Sequence, residues 1–148
     1  MLKGISPLLN ADVLHALRAM GHGDDIILTD TNFPAESIAR MTGLGRLLRI
    51  DNVSAVEAAA AVLSVMPLDS FAGDAAGHMA AGEGHSGALA VHTDVQSVID
   101  RAEGKSWPMV AIERFAFYER AKLAFAIIQT GERRGYGNFA FRKGVILP

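Results

Sequence analysis

Residues 10–20 carry apolar Val13, Leu14, Leu17 and Met20 on one helical face, behind Asn10 as N-cap and ahead of Gly21 as a stop. Residues 25–29, Asp-Ile-Ile-Leu-Thr, read as a strand, and Asn32-Phe33-Pro34 marks a turn. Residues 46–50 form a short strand after Gly43 and Gly45. Ser54-x-x-Glu57 is a capping box that opens an alanine-rich helix running to about Met66, where Pro67 ends it. Five glycines between Gly73 and Gly87 exclude a regular helix and predict a loop around a short strand at Met79-Ala80-Ala81. Thr93-x-x-Gln96 caps a further helix through Glu103, and residues 109–112 read as a buried strand. Residues 115–129 form the longest predicted helix, stopped by Gly131, and residues 139–141 a last strand. Strands alternating with helices predict an α/β, single-domain layered fold with a mixed, mainly parallel sheet flanked by helices.

Composition sharpens this picture in three ways. At 148 residues the chain has the usual size of one domain. Counting Gly and leaving out Tyr, its apolar fraction is about 59%, against the usual 45–50%, an excess that predicts buried subunit contacts. The net charge of -2 offers no basic field for nucleic acid or anionic lipid, and the absence of cysteine excludes thiol chemistry and disulfides. No apolar run has the length of a signal peptide core or a membrane span, so a cytoplasmic protein is expected.

The most informative local feature is His22, held between Gly21 and Gly23 on a helix-to-strand turn and eight residues ahead of Asp30. Flanking glycines permit φ > 0 and leave the imidazole open to a small ligand, although an imidazolium at a helix C-terminus is also a plain cap. Gly82 to Gly87 matches G-x-G-x-x-G but lacks the strong preceding strand and the acid closing the next strand that a dinucleotide site needs. His78, His85 and His92 recur every seven residues, yet the glycines between them forbid one continuous helix, so they are expected at the surface. No G-x-S-x-G elbow is present. Asp69 reads as an N-cap, and Tyr118 shares a helix face with Phe115 and Phe125 that could open at a pocket mouth. The polar loop 130–138 carries Arg133 and Arg134 beside Tyr136, suited to a salt bridge with a neighbouring copy.

Several of these segments occur together and in order. Met1-Leu2-Lys3-Gly4-Ile5-Ser6-Pro7-Leu8, Met20-Gly21-His22-Gly23-Asp24, Asp30-x-Asn32-Phe33-Pro34, Leu68-Asp69-Ser70-Phe71, Arg114-Phe115-Ala116-Phe117-Tyr118-Glu119-Arg120-Ala121 and Thr130-Gly131-Glu132 with Tyr136-Gly137-Asn138 closely resemble the RbsD/FucU family of sugar mutarotases. The resemblance spans almost the whole chain. Its Gly-His and terminal-loop signatures are common to the ribose and fucose branches, whereas Asn-Phe-Pro and the run from Arg114 look like the fucose branch. Residues 35–49 and 73–103 depart from that branch.

The resemblance implies that His22 is the general acid, that Asp30 is a ligand of sugar hydroxyls, and that Arg114, Tyr136, Gly137 and Asn138 contact substrate. It aligns Asp69, Met79 and Tyr118 with further pocket positions. It also implies a ring-shaped homo-oligomer, typically a decamer of two stacked pentamers, with sites near subunit boundaries. The implied reaction is exchange of α and β anomers of L-fucose or a related monosaccharide, through opening and reclosure of the hemiacetal. That reaction calls for no metal and no cofactor, and histidine suits it because both protonation states are available near neutrality. Three other readings are a non-catalytic sugar-binding accessory of uptake, a ribose-pyranase-like activity and, from Gly82 to Gly87, a nucleotide-binding protein.

Overall fold

Asn10 accepts a hydrogen bond from the Val13 N–H and so caps α1 (Ala11–Ala19), while Ser54 and Glu57 close a reciprocal capping box on α3 (Ala55–Leu63). The computed structural model describes residues 2–82 and 87–147. Its remaining elements are β1 (Asp25–Thr29), α2 (Ala35–Ala39), β2 (Leu47–Ile50), β3 (Ala76–Met79), α4 (Ala90–Glu103), β4 (Val110–Ile112), α5 (Arg114–Leu123), β5 (Ala126–Thr130) and β6 (Phe139–Arg142). No helix among the described residues is long and apolar enough to cross a membrane.

The strands form one mixed sheet in the order β2-β5-β1-β6-β3-β4. β1 and β2 pair in parallel with β5, and β3 with β4, while β6 pairs antiparallel with both β1 and β3. All strands except β6 therefore point the same way. Alternate side chains of the central strands enter two separate cores, as a sheet covered on both faces requires. Ile26, Leu28, Ile128, Phe139 and Phe141 pack with residues of α1, α3 and α4, whereas Ile27, Ile127 and Ala140 pack with residues of α2 and α5. Full burial of each large apolar side chain is worth roughly 1.5–3 kcal/mol.

The structure corrects the predicted elements in five places. The largest correction lies in residues 115–129: α5 ends at Leu123, and Ala126–Thr130 forms β5, paired with both β1 and β2. A strand buried on both faces carries apolar residues in succession, here Ala126-Ile127-Ile128, and reads locally like a buried helix. The longest helix is thus α4, with 14 residues, whose N-cap is Leu89 instead of Thr93. Residues 35–39, beyond the predicted turn, form the short helix α2. β3 begins at Ala76 and runs through Gly77, where an added Cβ would stand 2.7 Å from the Ile112 side chain of neighbouring β4. At the end of one helix, α3 closes at Leu63, before Met66, whereas α1 ends as expected, with Met20 as C-cap and Gly21 at C′.

This topology sorts the candidate residues onto two edges. The carboxyl ends of β1, β3, β4 and β5 lie on the same edge as the amino end of β6, the place where α/β sheets usually bind ligands. The turn before β1 and the segments before β3 and after β6 lie on the opposite edge.

Candidate active site

Four connections converge on the carboxyl edge. Asp30, Asn32 and Phe33 follow β1, Met79 ends β3, Arg114 and Tyr118 come from α5 after β4, and Gly135, Tyr136 and Asn138 precede β6. Together they line an open cleft of about 240 Å³. Phe33 and Tyr118 face one another at 5.4 Å between ring centres, and Arg114 Nε donates to the Tyr118 hydroxyl at 3.2 Å. That bond comes first among the causes holding the exposed guanidinium above its ordinary pKa, so Arg114 presents a permanent positive charge at the mouth. Asn138 Nδ2 lies 3.8 Å from Met79 Sδ, which places the thioether at the base. Aromatic walls with a few directed polar groups suit a small polar ligand.

Asp30 is only 2% exposed. Its Oδ1 accepts from the Asn32 and Phe33 N–H groups, and its Oδ2 from the Gly137 N–H and from Asn138 Nδ2. A carboxylate has about four acceptor sites, so the protein itself occupies them. Burial raises the Asp30 pKa, and the four donors oppose that rise. The Asp30 N–H donates in return to Asn138 Oδ1 at 3.0 Å. Asp30 therefore organises the turn after β1 and the loop before β6, where the sequence suggested a direct ligand of sugar hydroxyls.

Tyr136 adopts φ 60, in the left-handed region that residues with a β-carbon rarely enter. Gly82 abuts it: a Cβ there would stand 2.8 Å from the Tyr136 hydroxyl. The loop is braced from below by Glu132, which accepts from the Arg133 and Arg134 N–H groups, the Arg134 guanidinium and the Ala55 N–H. Chiefly through Arg134, the Glu132 carboxyl is pulled down from 4.5 to about 2. Arg134 also binds Asp94 at 2.7 Å. Arg134, one of the two arginines expected to meet a neighbouring copy, is thus engaged within its own chain while its side chain stays partly exposed.

His22 and Asp69 form a pair on the opposite edge. His22 Nε2 stands 3.1 Å from Asp69 Oδ2, with the imidazole about half exposed and the carboxylate buried. Asp69 Oδ1 accepts from the Phe71 N–H, which together with the His22 bond outweighs burial and lowers the carboxyl's pKa. Gly23 takes φ 87 while its N–H donates to the Lys143 carbonyl, and the Lys143 ammonium caps the Leu17 and Met20 carbonyls at the end of α1. Lysine, not His22, therefore fills the helix-cap role, and the imidazole is left to face solvent beside the Phe71 ring.

Seven of the nine residues singled out in the sequence, Asp30, Met79, Arg114, Tyr118, Tyr136, Gly137 and Asn138, thus gather at one edge, and His22 and Asp69 at the other. The surface placement of the histidines is corrected for two of them. His92 is 3% exposed, and its ring lies 3.9 Å from that of His78, which is half-buried, the two planes tilted by 36°. β3 and α4 bring them together although no single helix joins them. His85 and most of the Gly82 to Gly87 motif lie outside the described residues. Sequence reasoning missed Phe33 as a cleft wall and Glu132 as the brace of its loop. His92 was findable: it precedes Val95 and Ile99 at helical spacing on the buried face of α4.

Cleft and fold define a small α/β protein with a polar, aromatic-walled cleft at the carboxyl edge of its sheet and a histidine–carboxylate pair at the other. The chain belongs to the RbsD / FucU transport protein family, which it matches over residues 3–146. It is 43% identical to the fucose mutarotase of Bos taurus, over 100% of this chain and 96% of that protein. The crystal structure of protein Atu2016 superposes with a TM-score of 0.96 at 56% identity, covering 99% of this chain and 97% of that one. The fucose mutarotase from Streptococcus pneumoniae, solved in complex with L-fucose, gives a TM-score of 0.89 at 34% identity, over 99% and 100% of the two chains.

Proposed function

We propose that this protein is an isomerase, a monosaccharide mutarotase that interconverts the α and β anomers of L-fucose or a closely related sugar. The observation that carries the reading is the aromatic cleft around Arg114, Tyr118 and Tyr136 together with an exposed imidazole backed by a buried carboxylate. Relatives named fucose mutarotase, and one solved with L-fucose, support fucose as the substrate class.

In the proposed reaction His22 delivers a proton to the ring oxygen as the bond from that oxygen to the anomeric carbon breaks, and the anomeric hydroxyl gives up its proton to solvent water. The free aldehyde turns about its first carbon–carbon bond and recloses by the reverse transfers. Asp69 holds Nε2 of His22 and stabilises the imidazolium, leaving Nδ1 to exchange the proton. Arg114, Tyr118 and Tyr136 orient the hydroxyls, while Asp30 keeps Tyr136, Gly137 and Asn138 in register.

The two edges belong to one site only if a second copy supplies one of them. We therefore place the site at a subunit boundary, in a homo-oligomer of the stacked-pentamer kind, acting in the cytoplasm. Phe71 beside His22 and Phe115 beside Arg114 are 70% and 68% exposed, so each half-site carries an apolar flank suited to such a contact.

Magnetisation-transfer NMR with L-fucose, D-ribose, D-galactose, D-arabinose and L-rhamnose tests this. Transfer between the α and β signals of L-fucose, lowered roughly 10²–10⁴-fold in His22→Ala, is expected. Line broadening without transfer would instead indicate a sugar-binding accessory, and preference for D-ribose a pyranase-like enzyme.

A further inference from the structure

We propose that His92 is a positioning residue for the cleft, holding the carbonyl end of the Tyr136–Gly137 peptide whose N–H end holds Asp30. This deepens, and rests on, the reading of the cleft as the sugar site. His92 Nε2 lies 2.9 Å from the Tyr136 carbonyl oxygen, and the N–H of the same peptide, at Gly137, donates to Asp30 Oδ2 at 3.1 Å. One peptide group thus joins a buried imidazole to a buried carboxylate.

A carbonyl only accepts, so the proton of this bond sits on His92 Nε2. Nδ1 is buried and has no hydrogen-bond partner among the described residues, and burial holds the ring's pKa down. The ring therefore stays in its neutral Nε2–H form. It is clamped by His78 at 3.9 Å and by the edge of Phe139 at 6.0 Å. Among the described residues, the other titratable or charged groups near this peptide are Asp30 after β1, His78 on β3, Asp94 on α4, Arg114 and Tyr118 on α5, and Glu132 and Arg134 in the loop itself.

Two consequences follow for the cleft. The bond to His92 favours the left-handed conformation of Tyr136, which carries the phenol toward the ligand space beside Gly82. An accepting carbonyl also polarises its peptide and strengthens the N–H as a donor, so His92 helps keep Asp30 ionised. Deleting the donor should loosen sugar binding and move the acid limb of the exchange rate to higher pH.

The test compares His92→Phe, which keeps a ring and removes the donor, with His92→Gln, whose amide can restore it. For anomer exchange on L-fucose, His92→Phe is expected to raise KM about three- to tenfold, the range of one hydrogen bond, more than it lowers kcat. The acid limb should shift upward, and His92→Gln should return both readouts toward wild type. Unchanged KM and acid limb in His92→Phe, or equal impairment in the two variants, would overturn the proposal. Should His92→Phe fail to fold, 15N spectra of histidine-labelled wild-type protein decide it: protonation at Nε2 is expected, and protonation only at Nδ1 overturns it. If wild type exchanges none of the sugars, the mutarotase reading fails on its own, while the 15N measurement still decides whether His92 holds the peptide.

Discussion

His22 and Asp30 stand at opposite ends of the same strand, β1, separated by roughly 16 Å of extended chain at about 3.3 Å per residue. A monosaccharide cannot touch both in one copy. The expected outcome is complementation: His22→Ala and Arg114→Ala proteins, each inactive alone, regain measurable exchange when co-assembled, because some boundaries then unite two intact halves. Magnetisation transfer on the mixture, with native mass spectrometry to verify mixed assembly, checks this. Fully active monomeric wild type would refute it.

Asp30→Asn should both destabilise the fold and slow exchange. An amide offers one acceptor oxygen where the carboxylate offers two, so two of the four donors now meeting Asp30 would face an NH₂ group. Each stranded buried donor costs about 1–3 kcal/mol. Calorimetry should show Tm falling by about 5–10 °C, and sugar titration should show weakened binding. An unchanged Tm would mean that the carboxylate does not organise these loops.

Gly82→Ala is expected to push the Tyr136 hydroxyl aside, since the new methyl would lie 2.8 Å from it. The ring carbon bearing the hydroxyl is 3.8 Å from the same point, an ordinary contact, so the collision is with the oxygen alone. KM should rise in Gly82→Ala, and adding this change to Tyr136→Phe should have little further effect. Additive effects in that double-mutant cycle would place Gly82 away from the tyrosine.

Acid should loosen the terminal loop before it reaches the core. The Glu132 carboxyl is depressed from 4.5 to about 2, mainly by Arg134, so its contribution is complete above the unfolded value and is lost as pH falls through the folded one. With screening at the half-exposed Arg134, that contribution is roughly 2 kcal/mol. Denaturant unfolding between pH 4.5 and 2 should show wild type losing this increment, while Glu132→Gln shows a flatter dependence. Parallel pH curves for the two proteins would count against the brace.

What the chain determines locally was legible without a structure. The Asn10 cap and the Ser54/Glu57 box depend on residues three apart, and β1 depends on its own apolar run, so each is encoded where it forms. The order of segments carrying His22, Asp30, Arg114 and Tyr136 was likewise enough to indicate the family. Other features depend on partners remote in sequence. Residues 126–130 are a strand because β1 and β2 flank them and complete their hydrogen bonds, a choice that their apolar start, Ala126-Ile127-Ile128, leaves open. The sheet's directions put His22 and Asp30 at opposite edges. The burial of His92 and the saturation of Asp30 both come from the loop before β6 folding back over β1 and α4, and only the tertiary structure brings those donors and acceptors within bonding distance.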